Sequence, residues 1–499
     1  MSRPITTASQ DTGQQARIPG ENHRWWVLAV IGLAQLMVVL DATIVNIALP
    51  SAQTDLGFTN GDRQWVVTAY ALAFGSLLLL GGRVADLVGR KRIFLIGLVG
   101  FSVASALGGA APGFEVLVAA RALQGAFGAL LAPAALSLLT TTFSDSGERA
   151  KAFGIYGAIA GTGGAVGLLL GGLLTEYLNW RWCLFVNLIL AAIAFVGAVR
   201  LLHAGAPENP PKLDIPGTVL VSLGLFGLVY GFSNAESHSW GVVNTWGFLL
   251  AGVLLLIAFA WWQTRTRHPV LPLRVVLDRN RGASFIAMFV AGAGMFGVFL
   301  FLTYYLQESL HYSPVLTGVA FLPMVGVLIV TSVTATNILV PRLGAKPIVP
   351  IGMLLGAGAM MWLTALDLKS TYPLNVLPPL LVLGLGMGLI FAPAMSLATA
   401  GIAPRDAGVA SAMVNTSQQV GGSIGTALLN TLATSAATAY LVGRASNPAN
   451  QAQAQLHSYA TAYWWSAGFF LIGMVVCGLL YPAGKPVIHP EGNDAPVHM

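Results

Sequence analysis

Asp41 and Arg121 are the two ionisable residues that fall well inside long apolar stretches of this sequence. A charge in the apolar interior of a membrane is costly, so such a residue is first considered as part of an ion or substrate pathway. At 1.5 Å per residue, Asp41 lies roughly 13 Å from Pro50, at the outer end of its helix, and Arg121 lies roughly 9 Å from Glu115, at the outer end of its own. The two charges are therefore predicted at a similar depth in the outer half of the membrane. A carboxylate in an apolar cavity binds a proton more readily, and a nearby guanidinium favours its release. The pair predicts a proton-coupling site, with a fixed structural ion pair as the alternative.

A short basic segment, G-R-V-A-D-L-V-G-R-K-R at 82–92, lies between two apolar runs. Short loops rich in Lys and Arg stay on the cytoplasmic side of a membrane, so an ordinary loop of this kind is one interpretation. Gly89 also permits a tight turn, and a carboxylate beside it can contact a helix N-terminus or a basic partner in one conformation only. The second interpretation is therefore a conformational latch. Its candidate residues are Gly82, Asp86, Gly89, Arg90 and Lys91.

The composition places these residues in a membrane protein. Of 499 residues, 56% are hydrophobic and 9% are charged, whereas soluble domains carry about 25% charged residues. The two cysteines, Cys183 and Cys477, lie in apolar runs, which argues against a disulfide framework or a cysteine metal site. The chain has no Walker phosphate-binding loop, which leaves an ion gradient or downhill movement as the driving force. We expect an all-α polytopic membrane protein that is not an enzyme, binds no cofactor or metal, and has no nucleic-acid partner.

Fourteen apolar segments are long enough to cross a bilayer as tilted helices. They are predicted at about 25–49, 65–81, 93–111, 115–141, 152–174, 182–202, 215–233, 245–263, 283–306, 315–337, 346–366, 373–399, 412–438 and 459–481. With a cytoplasmic N-terminus, the cytoplasmic segments hold 20 of the 25 Lys and Arg residues, and the external loops hold four. This bias supports that orientation and an even number of spans.

Three pairs of sequence matches indicate two repeated halves. A-P-A at 132–134 returns at 392–394, and G-G-A-V-G at 163–167 returns as G-G-S-I-G at 421–425. The basic segment has a degenerate copy at 337–346, which ends in G-A-K where the original has G-R-K. Their offsets of 260, 258 and 255 residues are similar, which predicts two parallel six-span halves with two spans left over. The predicted divisions are a cytoplasmic tail at 1–24, an N-terminal six-helix bundle at 25–202, two extra helices and a cytoplasmic loop at 203–282, a C-terminal six-helix bundle at 283–481, and a cytoplasmic tail at 482–499.

These motifs resemble those of the major facilitator superfamily. The 82–92 segment is similar to its loop between spans 2 and 3, and L-D-A-T-I-V-N-I-A-L-P at 40–50 resembles the first-span motif of its fourteen-span drug:proton antiporters. Residues that resemble the fourth-span motif, whose arginine is implied to take part in proton transfer, are Leu117, Arg121, Gln124, Gly125 and Gly128. Glycines that match the fifth-span antiporter motif are Gly154, Gly163, Gly167, Gly171 and Gly172.

The resemblance has one departure, because Leu168 stands where the fifth-span motif has a proline thought to shape a kink. The glycine spacing still gives a face of small residues for close helix packing. The resemblance implies the major facilitator fold, with fourteen transmembrane helices arranged 6+2+6.

Uncharged polar residues in the spans are candidates for the substrate cavity. Asn415, Gln418 and Gln419 share one helical face through their i, i+3 and i+4 spacing. Hydrogen bonding to neighbouring helices is the alternative for such residues. The full set of candidates is Gln35, Asn46, Gln124, Asn415, Gln418 and Gln419.

The resemblance implies proton-coupled export of hydrophobic drugs or antibiotics by alternating access across the cytoplasmic membrane of a bacterium. The expected partners are a small hydrophobic substrate, protons and membrane lipids, and we expect a monomer. One rival keeps the fold but exports a lipid or an endogenous metabolite. A rival of another class is a membrane sensor or scaffold that does not transport.

Overall fold

The computed structural model describes residues 21–58, 60–143, 145–202, 214–238, 240–267, 269–402, 406–445 and 447–484. The regular structure in these ranges is helical. The α-helices, numbered along the described chain, are α1 Glu21–Leu56, α2 Asn60–Val88, α3 Arg90–Gly109, α4 Phe114–Thr142, α5 Ser146–Tyr177, α6 Trp182–Leu201, α7 Ile215–His238, α8 Val243–Gln263, α9 Leu273–Leu277, α10 Arg279–Tyr304, α11 Pro314–Thr334, α12 Val340–Leu343, α13 Ala345–Leu363, α14 Leu377–Thr399, α15 Ala407–Leu441 and α16 Pro448–Leu480.

Twelve helical spans in the described ranges are long and apolar enough to cross a membrane, and thirteen are if the bent α5 counts as one. The all-α membrane architecture predicted from composition is therefore confirmed. Helix α15 is not among these spans; it has 35 residues but carries the polar run N-T-S-Q-Q. The count of fourteen spans requires α15 as well and stays a prediction.

Several helices extend beyond their predicted spans. Helix α1 runs from Glu21 to Leu56, and α16 already begins at Pro448. Hydropathy identifies the part of a helix that suits the bilayer interior, whereas backbone hydrogen bonding continues into the polar interface. The predicted N-terminal tail at 1–24 therefore overlaps the first turn of α1. Residues 1–20 and 485–499 lie outside the described ranges.

The repeated segments adopt matching local structure. Gly89 and Gly344, which are 255 positions apart, have φ angles of 106° and 80°, and each separates two helices. Positive φ is readily available only to glycine, which explains why these two positions keep it. Pro133 and Pro393, 260 positions apart, both lie inside a helix, α4 and α14 respectively.

Helix α5 provides much of the contact between the N-terminal helices and the C-terminal helices, since it packs on α11 and α14. A Cβ added to Gly318 of α11 would lie 2.8 Å from the Cα of Leu169 in α5. Toward the other end of α5, a Cβ on Gly154 would lie 3.8 Å from the Cα of Val333 in α11. The two helices thus touch near both ends. We call their contact the α5–α11 seam, and it is closed on both sides of the molecule.

The two extra helices, α7 and α8, pack on each other, and α7 also contacts α2 and α15. Leu79, Val221 and Val409, from α2, α7 and α15, belong to one buried apolar cluster. The hairpin therefore covers the seam between α2 and α15.

Asp214 ties the two ends of this hairpin together. It accepts hydrogen bonds from the backbone N–H of Gly217 at 3.0 Å, from Nε1 of Trp262 at 2.9 Å and from Nε2 of Gln263 at 3.1 Å. One buried carboxylate therefore caps the start of α7 and binds the end of α8.

Candidate functional site

The structure brings Asp41 of α1 and Arg121 of α4 into contact. Nη1 of Arg121 lies 2.5 Å from Oδ2 of Asp41. The exposed fraction of Asp41 is 0% and that of Arg121 is 1%, so solvent does not screen the pair. A buried ion pair is tolerated only when hydrogen bonds satisfy its remaining polar atoms.

Arg121 is held by three further contacts. Its Nε donates to the carbonyl oxygen of Val66 at 3.2 Å, and its Nη1 also donates to Oε1 of Gln124 at 3.0 Å. The guanidinium carbon stands 4.4 Å from the ring centroid of Tyr70, a cation–π contact. The charge is therefore fixed in position by α2 and α4 as well as by Asp41.

The second carboxylate oxygen of Asp41 is bound by two amides. Oδ1 accepts from Nε2 of Gln124 at 2.9 Å and from Nδ2 of Asn187 in α6 at 2.7 Å. Both amide nitrogens also donate to Oγ of Ser105 in α3, each at 2.9 Å, and Ser105 donates to the carbonyl of Leu184 at 2.8 Å. We call Asp41, Arg121, Gln124, Asn187 and Ser105 the carboxylate network; each has at most 1% exposure.

The sequence reasoning missed Asn187 and Ser105. Both are uncharged polar residues inside apolar runs, which is the signal that selected Gln35 and Asn415 in other spans. Applying the same criterion to the third and sixth predicted spans would have found them.

The carboxylate network lies toward the predicted external side. Ser105 stands four residues before the end of α3 at Gly109, and Asn187 stands five residues after α6 begins at Trp182. These separations correspond to about 6 and 8 Å along the helices. Arg181 joins the same two helix ends, because its Nη1 donates to the carbonyl oxygens of Gly109 and Ala111, at 3.0 and 2.7 Å respectively.

The glycines of α5 pack against the helix that carries Asp41. A Cβ on Gly163 would lie 2.7 Å from Val39, and one on Gly171 would lie 2.9 Å from Ile44. A Cβ on Gly167 would lie 3.1 Å from the backbone oxygen of Leu40. The i, i+4, i+8 spacing therefore lets α5 approach α1 closely.

Two other glycines of this predicted motif lie elsewhere. Gly154 faces Val333 of α11 rather than α1, and Gly172 is buried within α5. Helix α5 bends by 40° between Gly164 and Val166, although Leu168 replaces the proline of the motif. Neighbouring glycines at 163 and 164 lower the resistance of a helix to bending, which accounts for a bend without proline.

The basic segment at 82–92 forms the end of α2, the turn at Gly89 and the start of α3. Oδ1 of Asp86 lies 3.4 Å from Nη2 of Arg90, and Gly82 and Gly89 are buried. Lys91 donates to the carbonyl oxygens of Val199, at 3.1 Å, and Leu202 at the end of α6. A cation suits the negative end of a helix dipole, so Lys91 has a structural contact within the N-terminal half.

This segment faces the C-terminal half at Asp406, which precedes α15. Asp406 acts electrostatically on both Arg83 and Asp86. It also forms an ion pair with Arg274 of α9, with 2.5 Å between Oδ2 and Nη2. The arrangement places charges of both halves together at the predicted cytoplasmic side, and the latch role stays a prediction.

Three of the predicted cavity-lining residues form hydrogen bonds within the protein in this conformation. Oε1 of Gln35 accepts from the Tyr156 hydroxyl at 2.7 Å, Gln124 belongs to the carboxylate network, and Asn415 donates to the Ser411 carbonyl of its own helix at 3.0 Å. Their contact with substrate stays a prediction. Of the other candidates, Gln418 and Gln419 are half-buried on α15, and the side chain of Asn46 lies outside the described part of the chain.

Metal ligands are not grouped in the described ranges: no set of three or more His, Cys, Asp or Glu residues is placed to hold an ion there. Cys183 and Cys477 are free and buried.

Comparison with known proteins gives the family. The model of the Major Facilitator Superfamily matches residues 31–426. The puromycin resistance protein pur8 of Streptomyces alboniger is 51% identical over 473 residues, which cover 94% of each chain. The cephamycin export protein CmcT of Amycolatopsis lactamdurans is 39% identical over 80% of this chain and 83% of its own length. The tetracenomycin C resistance and export protein of Streptomyces glaucescens is 35% identical over 82% of this chain and 76% of its own length.

A solved structure supports the fold independently. The human organic anion transporter MFSD10 aligns with a TM-score of 0.61 at 14% sequence identity, over 91% of this chain and 99% of its own. At a sequence identity this low, the match is evidence for the fold and not for the function. Together, the family match and the relatives confirm the resemblance predicted from the motifs. The chain belongs to the Major Facilitator Superfamily and is a multi-pass membrane transporter rather than an enzyme.

Proposed function

We propose that this protein exports a hydrophobic antibiotic across a bacterial cytoplasmic membrane in exchange for protons. Relatives named for puromycin resistance, cephamycin export, and tetracenomycin C resistance and export support antibiotic cargo. The relative at 51% identity makes puromycin the first compound to test.

The observation that carries proton exchange is the burial of Asp41 among donors. Arg121, Gln124 and Asn187 all direct N–H groups at its two oxygens, which suits an ionised carboxylate. A protonated Asp41 would lose most of its attraction to Arg121 and would need an acceptor for its O–H. Protonation therefore favours a different arrangement of α1, α4 and α6, as coupling requires.

The proposed cycle uses the position of the carboxylate network and the closed seam. In the predicted orientation the network lies toward the external side, from which protons enter during export. Opening of the α5–α11 seam at one end or the other would expose the interior to one side at a time. Proton binding at Asp41 would then select between these states through its contacts with α4 and α6.

The test uses purified protein in liposomes that contain a pH-sensitive dye. An imposed proton gradient is followed while puromycin and a panel of other apolar antibiotics are added, for the wild type and for Asp41→Asn. The matched control is Asp55→Asn, since Asp55 is half exposed and binds Arg181 outside the carboxylate network.

We expect drug-dependent proton flux in the wild type and in Asp55→Asn, and its loss in Asp41→Asn. Normal flux in Asp41→Asn would reject the role of that carboxylate. Drug movement without proton flux in the wild type would reject antiport. If neither drug nor proton moves in correctly inserted wild type, the antibiotic cargo is rejected in favour of a lipid or metabolite, or of a role without transport.

A further inference from the structure

Asn187 carries an unused acceptor beside Asp41. Its Nδ2 donates to Asp41 at 2.7 Å and to Ser105 at 2.9 Å. In the described part of the chain, its Oδ1 is buried and has no hydrogen-bond partner. A buried carbonyl oxygen without a partner loses the hydrogen bonds that water would supply, so its retention calls for an explanation.

The charge of Asp41 determines which end of the Asn187 amide faces it. An ionised carboxylate only accepts hydrogen bonds, so the amide must present its nitrogen. A protonated carboxyl group donates one hydrogen bond, and an amide rotated by half a turn would present Oδ1 to receive it. In both orientations one polar atom of the Asn187 amide occupies the unpartnered position. Rotation also replaces the Nδ2 donor at Oγ of Ser105 by Oδ1, so the Ser105 hydroxyl must then turn its proton from the carbonyl of Leu184 to Asn187.

We propose that Asn187 is a positioning residue that responds to protonation of Asp41 by rotating its amide from donor to acceptor. The inference rests on the proposed proton coupling and adds α6 to it. Asn187 acts through Asp41 and is not itself a carrier of protons.

Gln124, the other amide on the same carboxylate oxygen, is less able to make this change. Its Oε1 already accepts from Nη1 of Arg121 at 3.0 Å. Rotation of Gln124 would break that bond and turn its NH2 group toward the guanidinium. The Oδ1 atom of Asn187 has no such bond to lose.

The remaining groups around Asp41 do not replace this acceptor. Arg121 is a permanent cation that only donates. The Tyr70 hydroxyl and the Cys183 thiol are near enough for Asp41 to act on them electrostatically. In the described part of the chain the Tyr70 hydroxyl makes no hydrogen bond, and the thiol contacts Thr175 and Gly171, so neither is bonded to the carboxylate. Oγ of Ser105 already accepts from both Gln124 and Asn187, each at 2.9 Å. Asn187 is thus the group whose rotation can satisfy both states of the carboxyl group.

The test compares the pH dependence of drug-driven proton flux in wild type, Asn187→Leu and Ser105→Ala. Leucine keeps the branched outline of Asn187 with somewhat larger end groups, and it neither donates nor accepts a hydrogen bond. The matched control is Asn234→Leu, since Asn234 is also a buried amide in a helix and donates to Thr245 at 2.8 Å, within the α7–α8 hairpin. Exchange of labelled puromycin at constant pH reports whether each variant is folded and can still move a substrate.

Asn187→Leu removes a charge-assisted hydrogen bond from the ionised carboxylate and a weaker, neutral hydrogen bond from the protonated one. We therefore expect the pH midpoint of flux to shift upward by about one unit, roughly tenfold in proton concentration. Ser105→Ala should shift it in the same direction by less, because this hydroxyl only orients the amide. Asn234→Leu should leave the midpoint in place.

Two outcomes separate this inference from the proposed function. If the wild type shows drug-driven proton flux but Asn187→Leu and Ser105→Ala keep its midpoint, the inference is overturned and antiport stands. If Asn187→Leu lowers flux equally at every pH, the residue is merely structural and the inference is also overturned. If the wild type shows no proton flux, antiport itself fails and the inference falls with it. Should Asn187→Leu fail the exchange assay, Ser105→Ala alone decides by the same criterion.

Discussion

Gly167 of α5 lies directly against Thr43 of α1, so that a Cβ at Gly167 would stand 2.0 Å from Oγ1 of Thr43. The Thr43 hydroxyl in turn donates to the carbonyl of Leu40 at 3.0 Å. Asp41 lies between Leu40 and Thr43 in the chain. Of the three α5 glycines that face α1, Gly167 thus has the tightest contact, and it is made at the residues that flank the buried carboxylate.

Gly167→Ala should therefore destabilise the protein by about 1–3 kcal/mol, because the added methyl group overfills this contact. Drug transport should also fall, because the added methyl group pushes α1, which carries Asp41, away from α5. Thermal unfolding in detergent measures the first effect and the liposome assay the second. Adding Thr43→Ala should restore much of the stability, because it removes the atom in the way. Gly326→Ala is the control, since a Cβ at Gly326 meets nothing within 4 Å, and equal effects at both glycines would contradict the prediction.

Because Asp41 and Arg121 form a buried ion pair, removing both charges should destabilise the protein less than removing Arg121 alone. Arg121→Ala leaves the Asp41 carboxylate buried without its cation, which should cost about 3–5 kcal/mol. The double variant Arg121→Ala with Asp41→Asn should recover part of that stability, since no charge is then left uncompensated. Arg24→Ala, which removes a half-exposed ion pair with Glu148, should cost at most about 1 kcal/mol. Unfolding midpoints in denaturant measure all three, and additive losses in the double variant would contradict coupling.

The seam between α5 and α11 predicts two separate cross-links. The first pair is Leu169→Cys with Gly318→Cys, and the second is Gly154→Cys with Val333→Cys. A Cβ on Gly318 would lie 3.0 Å from the Cβ of Leu169, and one on Gly154 would lie 3.8 Å from the Cα of Val333. A small shift of the helices therefore brings each pair to the Cβ spacing of about 3.5–4.5 Å that a disulfide needs. We expect either disulfide to stop transport and a reductant to restore it, because alternating access opens the seam at each end in turn.

The four single-cysteine variants control for the substitutions themselves. The native Cys183 and Cys477 are buried, so they do not compete for the oxidant. Wild-type transport by either fully cross-linked protein would show that the α5–α11 seam does not open at that end.

The contacts of Asp214 predict a local effect on the α7–α8 hairpin. Asp214→Ala leaves Trp262 and Gln263 without their acceptor and removes the cap of α7. We expect faster amide hydrogen exchange in the first turn of α7 and at the end of α8, with a loss of about 1–3 kcal/mol in local stability.

A matched cap elsewhere is the control for this effect. Asp278 accepts from the backbone N–H of Arg281 at the start of α10, so Asp278→Ala should increase exchange there and leave the hairpin unchanged. If Asp214→Ala speeds amide hydrogen exchange in α7 but not in α8, this residue does not join the two helices.

The motifs and periodicities of the chain were sufficient for the membrane class, the superfamily and the two buried charges, while the division into two six-span halves stays a prediction. Each follows from local information: apolar length, glycine spacing, and an acid or a base where none is expected. Helix ends were less accurate, as at Leu56 and Pro448, because hydropathy follows the bilayer and not the backbone hydrogen bonds.

By itself, then, the sequence determined that a carboxylate and a guanidinium would be buried at similar depth. Only the tertiary structure decided that Asn187 and Ser105 complete their surroundings, that Gln124 binds Asp41, and that α7 and α8 cover the seam between α2 and α15. The physical reason is that hydrogen-bond partners depend on which faces of distant helices meet. That choice is made by the packing of the whole bundle and has no signal in the local sequence.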